Sequence, residues 1–220
     1  MNKNNTIKPW DFNFKAFFML IGFLFVALSL QAQNVLEKEL TAERIDSIVI
    51  DGNQIFKITV VTSKTNQIKI VSTLDGEYQN EFQVVMRENN HTLYLHLEHL
   101  SFSEIPDDKR NAHKVIAATL QLEIPEERSL DIVSDIGSVD LSGTFNSLYI
   151  QLSRGRCYVE ADTKTATINT LDGDIIVVTD NAAVTANSNH GKITVDEFYN
   201  AISTWKLKSI NGNITVEKPD

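Results

Sequence analysis

Five glycines in the carboxy-terminal half, Gly137, Gly155, Gly173, Gly191 and Gly212, recur at intervals of 18, 18, 18 and 21 residues. A period this regular confines the chain to architectures built from stacked repeats. Aligned on those glycines, the positions seven, five and three residues before and two and four after read Leu130, Ile132, Ser134, Val139, Leu141 in the first repeat and Leu148, Ile150, Leu152, Cys157, Val159 in the second. The third repeat has Ala166, Ile168, Thr170, Ile175, Val177, the fourth Val184, Ala186, Ser188, Ile193, Val195, and the last Trp205, Leu207, Ser209, Ile214, Val216. Twenty-one of these 25 residues are apolar, and the four exceptions share the slot three before the glycine, whereas only six of the 25 interleaved residues are apolar. Alternation with a period of two is the pattern of strands that bury one face.

Each repeat therefore reads as two short strands joined at a glycine corner, where a residue without Cβ can take positive φ at little steric cost. The same residue type at the same phase of successive units predicts parallel ladders, with levels about 4.8 Å apart. The expected fold is all-β: a single-stranded, β-helix-like β-solenoid with about 18 residues per coil, preceded by less regular strands. Ser134, Thr170, Ser188 and Ser209 are then placed to bond backbone groups that the bend leaves without ladder partners. Asn169 and Asn187, in equivalent outward slots, are expected to form a short amide ladder. The extra residues of the last interval, within 196–201, should bulge from one edge, and Trp205 in the first inward slot of the last repeat should plug the end of the stack. Phe198, Tyr199 and Trp205 form the candidate binding patch, an aromatic set suited to stacking on sugar rings.

Between Asn34 and Pro125 the same alternation recurs without the period, as at Ile48 and Ile50, Ile68 and Ile70, and Leu93 to Leu97, with Asp51-Gly52 and Asp75-Gly76 as turns. No stretch carries a helical period with caps. One all-β domain over 33–220 follows, with irregular strands over 33–125, the regular repeats over 126–220, and the hydrophilic segment 103–113 as a solvated loop. Residues 1–32 read as a signal peptide: Lys3, Lys8 and Lys15 face a single Asp11, the apolar run Ala16–Leu30 follows, and Ala32 supplies a small residue for cleavage. The alternative is an uncleaved anchor, for which the run is short of the roughly 20 apolar residues that span a bilayer. The protein is expected to be exported, to the periplasm, the outer envelope, the cell surface or the medium.

The whole chain has 220 residues and a formal net charge of −9. Removing 1–32 takes three lysines and one aspartate from 20 basic and 29 acidic residues, leaving 17 and 28, a net −11. Such a balance excludes a basic nucleic-acid surface and leaves membrane contact peripheral, or through the uncleaved N-terminal segment. Cys157 is the single cysteine and reads as a small buried hydrophobe. His91, His96 and His99 cluster in sequence, but their parity on a strand keeps them from converging on one ion. Asp172-Gly173-Asp174 and Asn211-Gly212-Asn213 lack the ligand offsets of a calcium loop. No catalytic, cofactor-binding or metal-binding residue is expected. An enzyme would have to be assembled from outward residues such as Asp135, Arg154 and Asp172.

The succession Leu122-Glu123-Ile124-Pro125, then Leu130 to Gly143, then the repeated T/S-x-x-G-x-I-x-V of Thr170–Val177, Ser188–Val195 and Ser209–Val216, resembles the bacterial putative-adhesin domain family across roughly residues 45–218. The resemblance implies a β-solenoid in a cell-envelope setting and carries no catalytic or ligand residues across. The expected function is that of an exported, non-enzymatic protein that meets an envelope protein or a glycan. A carbohydrate-active enzyme or carbohydrate-binding module, and a periplasmic signalling partner, are the alternatives.

Overall fold

A computed structural model describes residues 34–76, 79–100, 117–199 and 201–219. The expected signal peptide and the loop over 103–113 lie outside the described residues. Gln33–Asp220 forms one compact unit. Strands make up 73% of the described residues, which confirms an all-β chain, and among them no helix is long and apolar enough to cross a membrane. The strands are β1 (Asn34–Thr41), β2 (Ser47–Asp51), β3 (Ile55–Ser63), β4 (Gln67–Asp75), β5 (Phe82–Asn89), β6 (Thr92–His99), β7 (Ala117–Pro125), β8 (Arg128–Ser134), β9 (Ser138–Arg154), β10 (Cys157–Asp172), β11 (Ile175–Val178), β12 (Ala182–Ser188), β13 (Ile193–Val195), β14 (Ser203–Ser209) and β15 (Ile214–Glu217).

The pairings arrange these strands in two stacks. One runs β5-β6-β2-β8-β9-β10-β14-β12 and the other β1-β4-β7-β3-β9-β10-β11-β15-β13. The long strands β9 and β10 belong to both: their carboxy-terminal halves pair in the first stack and their amino-terminal halves in the second. Pairing is parallel except at β1/β4, β4/β7 and β5/β6. The alternating apolar residues of both stacks bury into one core, from Ile48 and Ile50 at β2 to Ile214 and Val216 at β15.

Residues 18 apart are indeed neighbours at the start of the repeats, where Val139 pairs with Cys157 and Cys157 with Ile175. The regular offset then ends. Above β10 sits β14, with Thr170 opposite Ser209, 39 residues on, and β12 lies outside β14. Likewise β15 separates β11 from β13. The last repeat is thus inserted between the third and the fourth, and a uniform succession of 18-residue coils is not what the chain forms. Burial supplies the reason. Trp205, Leu207, Ile214 and Val216 are all buried in the inserted repeat, whereas Val184 and Ala186 of the displaced one are only half-buried and Ile193 and Val195 are exposed. The repeat with smaller inward side chains loses less by standing at the edge. Trp205 therefore does not plug an end: it is fully enclosed, and its indole N–H donates to Ser203 Oγ at 3.1 Å. The expected amide ladder is broken for the same reason, because Lys208 lies between Asn169 and Asn187.

The corner glycines are also required on other grounds than backbone conformation alone. Gly137 and Gly155 have φ of 116° and 117°, but φ at Gly173, Gly191 and Gly212 lies outside the left-handed region. At all five a Cβ would collide with backbone: at Gly137 with the Ile55 carbonyl, then at Gly155 with Gly137, Gly173 with Gly155, Gly212 with Gly173, and Gly191 with Gly212. The glycines stack on one another in the order of the strands, and each touches the carbonyl of its neighbour. The glycine column ends at Gly137, which stands against the backbone of Ile55 and Phe56, but the stack itself continues into the first half of the chain, where Asp51-Gly52 joins β2 to β3. That turn makes no hairpin: β2 pairs in parallel with β8, and β3 with β9, so β2 and β3 form one more level beneath the repeats.

Candidate functional site

The polar residues at the corners are engaged by the backbone of their own corner and of the neighbouring level. Ser134 Oγ reaches the Gly52 carbonyl at 2.9 Å. The Thr170 hydroxyl donates to the Gly173 carbonyl at 2.7 Å and lies 2.9 Å from Ser209 Oγ, which accepts the Gly212 N–H at 2.8 Å. Ser188 Oγ donates to the Gly212 carbonyl and accepts the Gly191 N–H. Asp174 accepts the Asn213 N–H, and the Asn213 amide oxygen accepts the Lys192 N–H. Of the residues considered for catalysis, Asp135 accepts the N–H groups of Gln54 and Ile136, while Arg154 and Asp172 are register partners at the exposed ends of β9 and β10. The four corner hydroxyls, with Asp135, Asp174 and Asn213, satisfy donors and acceptors that a bend removes from the ladders.

The three aromatics of the candidate patch are not brought together at the surface. Trp205 is in the core, Phe198 packs partly against the core, and Tyr199 is exposed, with its hydroxyl donating to Glu197. Lys218 Nζ lies 5.8 Å from the Phe198 ring centroid and 5.6 Å from that of Tyr199. The histidines separate: His91 faces Asp46 at 3.2 Å, His99 faces Glu81 at 3.3 Å, and His96 lies on β6 between Asp51 and Val85. Among the described residues, no three His, Cys, Asp or Glu side chains are grouped to hold a metal. The Cys157 thiol is enclosed, and burial first, with Asp140 second, pushes its pKa far above the ordinary thiol range.

The outer face of the first stack is the surface that the fold builds most regularly. Register partners set Tyr94, Val49, Asp131, Tyr149, Thr167, Lys206 and Thr185 in one row across seven strands. Six strand spacings of about 4.8 Å give a face roughly 29 Å long. Two residues back along six of the seven strands, Thr92, Ser47, Ser129, Ser147, Thr165 and Thr204 make a row of hydroxyls, with Ala183 in that place on β12 and Ser147 Oγ donating to Ser129 Oγ at 2.9 Å. Tyr94 and Tyr149 are 41% and 38% exposed; the half-buried Asp131 sits between Val49 and Tyr149 in the row, and its carboxyl is raised above its ordinary pKa by burial. The outer face of the second stack is different, being tied by the ion pairs Lys57–Asp140, Arg156–Asp140 and Lys69–Glu37. The tyrosine row escaped the sequence reading because Tyr94 and Val49 fall outside the 18-residue frame, and only the parallel pairing of β6, β2 and β8 aligns them with Tyr149.

No family model and no curated protein matches the chain. Solved structures do. A putative cell adhesion protein from Clostridium sporogenes ATCC 15579 superposes with a TM-score of 0.60 at 11% identity, covering 86% of this chain and 100% of that one. A putative adhesin from Bacteroides fragilis NCTC 9343 matches at 12% identity over 86% of this chain and 98% of its own, with a TM-score of 0.33. A putative lipid binding protein from Parabacteroides distasonis ATCC 8503 matches at 11% identity over 85% and 97%, with a TM-score of 0.27. The resemblance carried by residues 45–218 thus has its counterpart in structure, and at this identity the likeness to the Clostridium protein is one of fold.

Proposed function

We propose that the protein is an exported, non-enzymatic β-solenoid that acts as an adhesin-like contact protein of the cell envelope, meeting its partner with the outer face of the first stack. The row from Tyr94 to Thr185 carries this reading: a sheet face with two exposed tyrosines, one lysine and a parallel row of hydroxyls offers stacking and hydrogen-bonding groups at a repeating spacing. That chemistry suits a glycan or an extended envelope protein. The fold likeness to a putative cell adhesion protein supports the same reading, and the engagement of Asp135 by backbone N–H groups argues against its service as a catalytic acid. Export rests on the sequence of residues 1–32 and places the protein in the periplasm, on the outer envelope or surface, or in the medium.

The test has two arms. Fractionation of washed cells should recover the protein outside the cytosol, and recovery in the cytosol alone contradicts export. A screen of glycans and envelope proteins should yield a ligand whose binding falls at least tenfold in Tyr94→Ala and Tyr149→Ala while the melting temperature holds. A ligand indifferent to both substitutions contradicts the assignment of this face.

A further inference from the structure

The two ends of the strand stacks differ in how they are protected. At one end the edge strands are β1 and β5, and both are charged, with Glu37, Lys38 and Glu39 on β1 and Arg87 and Glu88 on β5. Charge on an edge strand discourages pairing with another chain. At the other end β12 and β13 carry no charged residue and no proline. Among the described strands β12 pairs only with β14 and β13 only with β15, so each presents an open row of backbone donors and acceptors. Core slots are open there too. Ile193 and Val195 are 41% and 39% exposed, whereas Ile214 and Val216, their register partners one level in, are fully buried.

We propose that a second copy of this chain covers this end, the β12 and β13 edges of the two copies meeting antiparallel about a two-fold axis. What the end lacks is one more level of two strands with small apolar inward side chains. A single extended peptide can pair with one edge but leaves the other half of the core open, while the same end of a second copy closes both. A two-fold axis perpendicular to both the stack and its strands reverses strand direction, so such pairing is antiparallel and self-complementary. Charge agrees: Lys192 and Asp196 flank β13 symmetrically about Thr194, and pairing β13 with its copy about that residue sets each lysine against the partner's Asp196. In a chain of net charge −9, edge strands that carry no charge of their own, flanked by one lysine and one aspartate that pair across the axis, are also where two copies approach with least repulsion.

Sedimentation velocity on the full exported chain, over about 1 to 100 µM where an interface of this modest size assembles, should show a concentration-dependent dimer. Val195→Lys should shift it to monomer with an unchanged melting curve, and Val35→Lys, at the charged end, should leave the dimer intact. If Val195→Lys proves unstable, Lys192→Asp should weaken the dimer at least tenfold and Lys192→Asp/Asp196→Lys should restore it. A monomer throughout the range, a dimer broken by Val35→Lys, or one indifferent to both the Val195 and the Lys192 changes overturns the proposal.

Discussion

Gly173 approaches Gly155 so closely that a Cβ at Gly173 would fall inside contact distance of the Gly155 carbonyl oxygen. Close approach of backbone to backbone, rather than positive φ, is what demands glycine there. Gly173→Ala is therefore predicted to destabilise as strongly as Gly155→Ala, by about 3–5 kcal/mol, although only Gly155 has positive φ. Gly52→Ala should cost about 1 kcal/mol, because its nearest obstacle is the end of the Ile58 side chain at 2.7 Å, which can rotate away. Chemical denaturation of the three variants checks the order, and a harmless Gly173→Ala contradicts the glycine column.

Ser209 serves two backbone groups at once, accepting the Gly212 N–H and lying 3.3 Å from the Gly173 carbonyl oxygen. Ser209→Ala leaves the buried Gly212 N–H without its acceptor, and a loss of about 1–3 kcal/mol is expected. Ser188→Ala, at the open edge where water can replace the hydroxyl, should cost less. Denaturation midpoints compare them directly.

Trp205→Ala should cost about 3–5 kcal/mol, as expected for a large side chain fully enclosed in the core. Tyr199→Ala should change stability by no more than about 0.5 kcal/mol. If the two are equal, Trp205 is at the surface and the insertion of its repeat is wrong.

Burial raises the Asp131 carboxyl above its ordinary value of 3.8. The folded state then binds this proton more tightly than the unfolded chain, so the ionised side chain disfavours folding above its folded-state pKa, and the effect disappears below the unfolded value. Asp131→Asn is predicted to melt at or above the parent temperature at pH 7, with the difference closing as the pH falls toward 3. Thermal melts across that range decide the sign.

Much of the architecture is legible in the sequence, and what is not has a physical cause. The alternation around Gly137, Gly155 and Gly173 predicts inward slots in β8 to β11 that are all buried, because period and pleat coincide there, while Phe145, Ala161 and Thr163, buried in the middle of β9 and β10, lie outside those slots. The hydroxyls of Ser134, Thr170, Ser188 and Ser209 bond the backbone as their slot implies. Stacking order is not encoded in the period: nothing in the spacing of Gly191 and Gly212 says that the Trp205 repeat slips beneath the Val184 repeat, since that choice depends on which inward side chains gain more from burial. The outer tyrosine face is hidden for a related reason. Its first members, Tyr94 and Val49, belong to strands whose place in the stack is set by pairing between segments some 40 to 80 residues apart.

The order of the last two repeats tests the account most directly. Register partners on adjacent strands lie within disulfide reach, and residues two strands apart do not. Paired cysteines at Asn169 and Lys208, and separately at Lys208 and Asn187, should therefore oxidise to a disulfide in the folded protein, while cysteines at Asn169 and Asn187 should stay reduced. The buried Cys157 should remain unreactive throughout. Ready cross-linking of 169 to 187, with none between 169 and 208, would mean that each repeat sits on its predecessor and would contradict the inserted order.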